Sequence, residues 1–216
     1  LTVSENLEFF GTIYGLSYRQ LHKRMNDVIA MADLSKRKNE LVRNLPGGHK
    51  QRLALGASIL HDPPILFLDE PTSGVDPIMR RNFWDIIYQF SESGKTIFVT
   101  THYMDEAEHC DRIALIIQGS IIALDSPGAL KKELPYDVYS LEVDEFIKVF
   151  DMIQKIDGVH EAAIFGSEIH LLCDVKTKGT KSLKSELNRL DIGKFKLRKV
   201  APSLEDVFVT SARKHG

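Results

Sequence analysis

The sequence is poor in cysteine, in charge of one sign and in long apolar runs, and each shortage excludes a class. Only Cys110 and Cys173 occur among 216 residues, far apart and without a CxxC pair. That argues against a disulfide framework or a cysteine zinc site and fits a reducing compartment. The formal net charge is −2, which excludes a strongly basic chain that holds nucleic acid by bulk charge. No stretch approaches the ~18 consecutive apolar residues of a membrane span. There is no basic-then-apolar leader, no internal repeat and no low-complexity segment. What is present is ordinary for a packed protein: 43% of residues are hydrophobic, which excludes disorder.

Residues 1 to about 62 read as helical. Ser4 precedes an apolar pattern through Leu7, Phe10, Ile13 and Tyr14, and Gly15 marks a stop. Ser17 with Gln20 is a capping-box signal before Leu21, Met25, Val28, Ile29 and Ala32. A third helix is expected over Lys50–Leu60. The pattern then changes. Ile65–Leu68 and Thr96–Thr100 are short apolar runs of the kind buried on both faces of a sheet. Between them Asp76-Pro77 starts a helix with Phe83, Ile86, Ile87 and Phe90 on its apolar face. A short acidic helix at Asp105–Glu108 precedes strands at Arg112–Ile117 and Ile121–Leu124. This alternation is α/β with a largely parallel sheet. From Pro135 the order strand, helix, strand, strand, helix, strand predicts a small ferredoxin-like α+β domain. Its third strand is expected over Ile169–Val175 and its closing helix over Ser203–Ala212.

The chemistry gathers at strand ends. ILFLDEPTSGVD delivers two adjacent carboxylates, Asp69 and Glu70, at the C-terminal end of a strand, where open α/β sheets bind ligands. Carboxylate oxygen suits Mg²⁺, and a second carboxylate can orient and deprotonate water. Neighbours on a strand point opposite ways, so the pair needs a turn, and Pro71 supplies one. In Leu45-Pro46-Gly47-Gly48-His49 two glycines let backbone N–H groups approach an anion at a helix start; taken alone, a helix–helix turn with a glycine break is the better explanation, and its place just upstream of the Asp69-Glu70 strand favours the anion site. His102 ends the next strand, placed to reach a phosphate oxygen or an attacking water.

These segments together resemble the ATP-binding subunit of an ABC (ATP-binding cassette) transporter. LPGGHKQRLALGASILHDPPILFLDEPTSGVDP is similar to the family's signature motif, Walker B strand and D-loop in continuous register. TTHYMDEAE resembles the switch-histidine segment, LTVSENLEFFGTIYGL the start of the helical subdomain, and APSLEDVFV the end of the multidrug and ABC-2 exporter branch. The resemblance implies a partial P-loop NTPase cassette in three parts: a helical signature subdomain at 1–62, a partial ATPase core at 63–134 and an accessory α+β domain at 135–216. It implies that Asp69 holds Mg²⁺ through water, that Glu70 is the general base and that His102 contacts the γ-phosphate of ATP. It implies that Ser73, Gly74 and Asp76 form the D-loop. Pro46, Gly47, Gly48 and His49 would face an ATP held by a second cassette. The expected partners are that cassette and a membrane permease, without nucleic acid, at the cytoplasmic face of the membrane.

Two features depart from the family pattern. No G-x-x-x-x-G-K-[ST] occurs; Gly94-Lys95-Thr96 is a decoy, followed by a strand and preceded five residues earlier by Gln89. The expectation is therefore a piece of a longer ABC subunit that alone binds ATP poorly. Pro46 stands where the family's signature has serine, so one hydroxyl and one N–H are lost. A non-hydrolysing regulatory cassette that completes a partner's site is the alternative. His22, His61, His109, His160, His170 and His215 are scattered and read as structural or solvated, Cys173 as core, and Trp84 as packing its helix on the sheet. Phe9, Phe10 and Tyr14 fit either core or a permease-contacting surface.

Overall fold

A computed structural model of the chain describes residues 1–174, 180–190 and 192–215. The chain forms two compact units, Leu1–His102 and Tyr103–Gly216.

The first unit opens with three helices. α1 (Val3–Ile13) is capped by Thr2 rather than Ser4: Thr2 Oγ1 accepts from Glu5 N at 3.2 Å, and Glu5 Oε2 accepts from Thr2 N at 2.7 Å. α2 (Tyr18–Met31) has the expected box, with Ser17 N donating to Gln20 Oε1 at 3.1 Å. α3 (Gly47–Ile59) begins three residues earlier than expected, because His49 N and Lys50 N both reach Pro46 O, at 3.0 and 3.1 Å. The three helices pack on one another. Leu21, Met25, Val28, Ile29 and Ala32 are buried as expected, but α1 buries Val3, Leu7 and Gly11 while Ile13 and Tyr14 face solvent. Two glycines set the helix spacing. A Cβ at Gly11 would sit 2.2 Å from Leu21 Cδ1, and one at Gly56 would sit 2.3 Å from Val28 Cγ1.

β1 (Ile65–Asp69), α4 (Pro77–Glu92) and β2 (Thr96–Thr100) form a βαβ unit. The strands pair parallel, from Ile65↔Thr96 to Asp69↔Thr100. Asp76 caps α4 by accepting from Ile78 N and Met79 N at 3.1 and 3.0 Å, with Pro77 in the first turn. Phe83, Trp84, Ile86 and Ile87 are buried, and α4 packs on β2. The strands are not buried on both faces, contrary to expectation. Leu66 is buried, but Phe67 and Phe98 stack with centroids 5.1 Å apart on an open face, 77% and 55% exposed. No described element covers that side, so the apolar run is satisfied on one face only.

The second unit begins with α5 (Met104–Ala107) and the hairpin β3 (Ile113–Ile117) and β4 (Ser120–Asp125). The parallel pairing expected of the sheet holds for β1 and β2, whereas β3 and β4 pair antiparallel around Gln118-Gly119. Gln118 and Gly119 both have positive φ, 49° and 77°, which makes a tight two-residue turn, and such a turn joins antiparallel strands. α6 (Pro127–Lys132) follows.

The rest is ferredoxin-like, as expected: β5 (Tyr136–Val143), α7 (Phe146–Ile153), β6 (Val159–Phe165), β7 (Glu168–Asp174), α8 (Thr180–Arg189) and β8 (Phe195–Val200). The strands make one antiparallel sheet in the order β6-β7-β5-β8. Tyr139, Leu141, Ile169, Leu171, Cys173 and Ile153 fill its core with Leu183 and Leu187. Residue 175, the expected end of β7, and the side chains of Phe146 and His215 lie outside the described residues. α9 (Leu204–His215) closes the chain and packs with Ile113, Leu115 and Leu130 in a second core.

Candidate functional site

β1 and β2 end together, and their C-terminal ends hold three of the expected site residues. Asp69 stands opposite Thr100 in the parallel register, and the Thr100 hydroxyl donates to Asp69 Oδ1. Glu70 N donates to both Thr100 O and Thr100 Oγ1, each at 3.1 Å. Glu70 adopts φ 42°, so the strand turns there and not at Pro71. That left-handed residue sends the Glu70 side chain away from the alternation of the strand. Its Oε1 lies 3.2 Å from His102 Nδ1, with the two side chains 49% and 55% exposed. If the ring donates Nδ1–H to the carboxylate, the neutral form has only an acceptor at Nε2; meeting a phosphate oxygen there requires the imidazolium.

After Glu70 the chain makes two more turns, Ser73 N to Glu70 O and Val75 N to Thr72 O, both at 3.1 Å. Thr72 is buried, while Ser73, Gly74 and Asp76 are exposed, and Gly74 has φ 70°. The loop thus presents three of its expected ligand residues outward and hands the chain to α4.

A second group forms at the start of α3. Pro46 is the N-cap and offers no side-chain hydrogen bond. Gly47 is open, whereas a Cβ on Gly48 would sit 2.9 Å from Met79 Cε. Arg52, one turn on and only 7% exposed, directs Nη2 at Met79 Sδ, 3.6 Å away. Met79 lies in the first turn of α4, three residues beyond Asp76. The glycine turn and the loop after Glu70 are therefore joined through Met79. Among the described residues no cluster of three or more His, Cys, Asp or Glu side chains forms a metal site, so Asp69 would hold a cation only together with ligands from elsewhere.

Sequence reasoning missed Thr100, Met79 and Asp62. Thr100 closes β2 two residues before His102, and its partners are set only by the parallel register. Asp62, at φ 57°, takes Lys95 Nζ at 2.6 Å and Arg24 Nη2 at 2.5 Å. Its carboxyl is held below its ordinary pKa, first by Lys95 and then by Arg24. The decoy Lys95 is thus a structural ion pair.

The second unit holds a buried polar cluster at the start of α9. Asp206 Oδ1 meets His170 Nδ1 at 3.0 Å, and Asp206 Oδ2 accepts from Ser203 N and Oγ at 2.8 and 2.7 Å. Burial alone would raise the Asp206 pKa, but the hydrogen bonds from His170 and Ser203 outweigh it and hold the carboxyl below its ordinary value. This cluster caps α9 and fits the structural role expected of His170.

Comparison with known proteins converges on one family. The linearmycin resistance ATP-binding protein LnrL of Bacillus subtilis (strain 168) is 33% identical over 216 residues, covering 97% of this chain and 69% of that protein. The chain belongs to the ATP-binding proteins of ABC transporters. The probable multidrug ABC transporter ATP-binding protein YbhF of Escherichia coli (strain K12) is 48% identical over 137 residues, 63% of this chain but only 24% of that protein. This chain therefore spans about a quarter of that relative's length. A family model described as an AAA domain, putative AbiEii toxin, type IV TA system, matches residues 14–104. A solved structure of the ATP-binding subunit of an ABC transporter superposes with a TM-score of 0.55 at 25% identity, over 62% of this chain and 56% of that one. The α/β ABC ATPase fold expected from the sequence is borne out. No described helix is long and apolar enough to cross a membrane.

Proposed function

We propose that this chain is part of the ATP-hydrolysing component of an ABC exporter. The observation that carries the proposal is the Glu70–His102 contact of 3.2 Å, beside Asp69 at the end of two parallel strands. Glu70 is the general base: its carboxylate accepts a proton from water as that water attacks a phosphoryl group. His102 orients Glu70 through Nδ1. Asp69, fixed by the Thr100 hydroxyl, offers one carboxylate to a hard cation, which fits Mg²⁺ held by one or two carboxylates plus substrate phosphates. Bound Mg²⁺ supplies neutralisation of phosphate charge. Ser73, Gly74 and Asp76, which are exposed, reach a second cassette, while Gly47, Gly48 and His49 present a helix start to that cassette's nucleotide. The three-part division at 1–62, 63–134 and 135–216 belongs to the same proposal.

The partners are a second cassette and a membrane permease, at the cytoplasmic face. Exposed Phe9 and Ile13 on α1, with Tyr14 at its C-cap, support a permease contact. The test is ATP turnover by the natural polypeptide that carries these residues. Glu70→Gln is expected to retain ATP binding and abolish steady-state turnover. Pro46 favours a second reading, a regulatory cassette that does not hydrolyse; in that case Glu70→Gln leaves the rate unchanged.

A further inference from the structure

Arg52 is a buried guanidinium without an oxygen partner. It is 7% exposed, and among the described residues it pairs with no carboxylate, while its Nε meets no acceptor at all. Its Nη2 is directed at Met79 Sδ, 3.6 Å away. A thioether sulfur is a weak acceptor. Withdrawing a guanidinium from water without strong acceptors is unfavourable, so the donors of Arg52 keep unmet capacity.

Met79 is placed to supply a better acceptor. Its side chain is part-buried and touches both Arg52 and the Gly48 turn, where a Cβ on the glycine would lie 2.9 Å from Met79 Cε. Gly48 carries no Cβ, so that end of the methionine has room to turn, and the side chain is unbranched and flexible. An oxygen bonded to Sδ and angled toward Nη2 falls within the ~2.7–3.2 Å of an N–H···O hydrogen bond. Among the described residues Met79 holds the only methionine sulfur that accepts a hydrogen bond. Met25 is buried, Met104 packs on the second core, and Met152 is 41% exposed.

We propose that Met79 is an oxidation site for hydrogen peroxide, and that Arg52 captures the sulfoxide oxygen, so that the modification tightens the junction of α3 and α4 instead of opening it. The sulfur lone pair attacks one oxygen of the peroxide. The S–O bond forms as the O–O bond breaks, and the departing oxygen takes up the proton of the attacked one and leaves as water. Sulfur gives up two electrons and the peroxide accepts them. A sulfoxide in a packed site ordinarily adds an unsatisfied polar group and loosens the packing. Here the oxygen accepts from a guanidinium already in place, and a charge-assisted hydrogen bond replaces an N–H···S contact. The segments so joined are the glycine turn at the start of α3 and the first turn of α4, which follows the Glu70 loop. The proposal does not rest on the ATPase reading.

The experiment treats the folded 216-residue chain with hydrogen peroxide, locates the added oxygen by peptide mass mapping and follows thermal melts. Met79→Leu, treated alike, measures what oxidation of the other methionines does. In the wild type Met79 is expected to gain one oxygen along with Met152, with a melting temperature no lower than that of oxidised Met79→Leu. In Arg52→Leu the same oxidation is expected to lower the melting temperature by several degrees, because the new oxygen has lost its donor. Met79→Gln, whose amide carbonyl sets an oxygen near the sulfoxide position, is expected to keep the melting temperature of the wild type. The proposal is overturned if Met79 stays unmodified while Met152 is fully oxidised, or if oxidation at Met79 destabilises the wild type as much as Arg52→Leu. Should Arg52→Leu not fold, Met79→Gln decides: an unchanged melting temperature supports the captured oxygen, and a fall of several degrees overturns it.

Discussion

Met79 packs against Gly48 so closely that a Cβ added to the glycine would lie 2.9 Å from Met79 Cε and 3.4 Å from Cγ. The contact ties the start of α3 to the first turn of α4. The methionine end is flexible and can move aside. Gly48→Ala is therefore expected to change stability by less than about 1 kcal/mol. Gly56→Ala should behave differently, because its Cβ would meet Val28 Cγ1 at 2.3 Å, and Val28 is branched and buried between helices. Overpacking costs ~1–3 kcal/mol there and outweighs the ~1 kcal/mol that alanine gains over glycine in a helix. Thermal melts of the two variants should separate by several degrees, with Gly56→Ala the lower.

Thr100 holds both carboxylate residues, by its hydroxyl to Asp69 and by hydroxyl and carbonyl to Glu70 N. Thr100→Val keeps the shape and the strand preference and leaves Glu70 N bonded to the carbonyl. Only the positioning hydroxyl goes. The expected stability loss is ~0.5–1.5 kcal/mol. In the natural polypeptide kcat should fall by about tenfold with KM little changed, the pattern of an interaction lost mainly in the transition state. A loss confined to KM would contradict this role.

Local signals were legible in the sequence and long-range ones were not. Ser17 with Gln20 and Asp76 with Pro77 mark helix starts because a cap is written within four residues. The ferredoxin-like order was legible because each element carries its own period. Burial was less so: Ile13 and Tyr14 share a helical stripe with Leu7, yet only the α1 residues facing α2 and α3 are covered. Phe67 and Phe98 show the same limit, since an apolar strand records that a neighbour is wanted and not whether the chain provides it. In the site, Asp69, Glu70 and His102 were legible from type and order. Thr100 was not, because its role exists only once the parallel register places it opposite Asp69. Met79 was invisible for the same reason, as its partners Gly48 and Arg52 are about thirty residues away in the chain.

Asp206 makes the anchoring of α9 sensitive to acid. Its pKa is lowered in the folded chain, where burial opposes ionisation but the His170 and Ser203 hydrogen bonds prevail. A carboxyl with a depressed folded pKa contributes stability that is full above its unfolded value and lost as pH falls through the folded one. The loss should therefore begin below about pH 4, the ordinary aspartate range. Asp206→Asn is expected to cost ~1–3 kcal/mol at neutral pH, because a buried charged acceptor is removed from its donors. It should also flatten the acid limb of the stability curve measured by urea titration at several pH values.

Asp62 joins α2, through Arg24, to Lys95 just before β2, but it is half-exposed. Exposed ion pairs are worth ~0.2–1 kcal/mol and are screened by salt. Asparagine tolerates the left-handed φ of 57° that this position demands. Asp62→Asn should thus cost at most about 1 kcal/mol in dilute buffer, and the difference from wild type should vanish near 1 M salt, where the screening length is ~3 Å. A deficit that persisted in salt would mean that geometry rather than charge makes this junction.

Pro46 caps α3 with φ −57° and ψ 152°, a backbone shape that serine adopts readily, yet it supplies no side-chain oxygen and no N–H. Pro46→Ser restores both. A serine cap is worth about 0.5–2 kcal/mol, against ~0.4–1 kcal/mol lost through the freer unfolded chain, so net stability should change little. Turnover should change more. A charge-assisted hydrogen bond to phosphate contributes ~1.5–3 kcal/mol, which corresponds to roughly tenfold to more than a hundredfold in rate if it acts in the transition state. ATP turnover by the natural polypeptide is expected to rise with Pro46→Ser and to be abolished when Glu70→Gln is added. An unchanged rate in the single variant would mean that the hydroxyl has no phosphate to meet, and would favour the regulatory cassette.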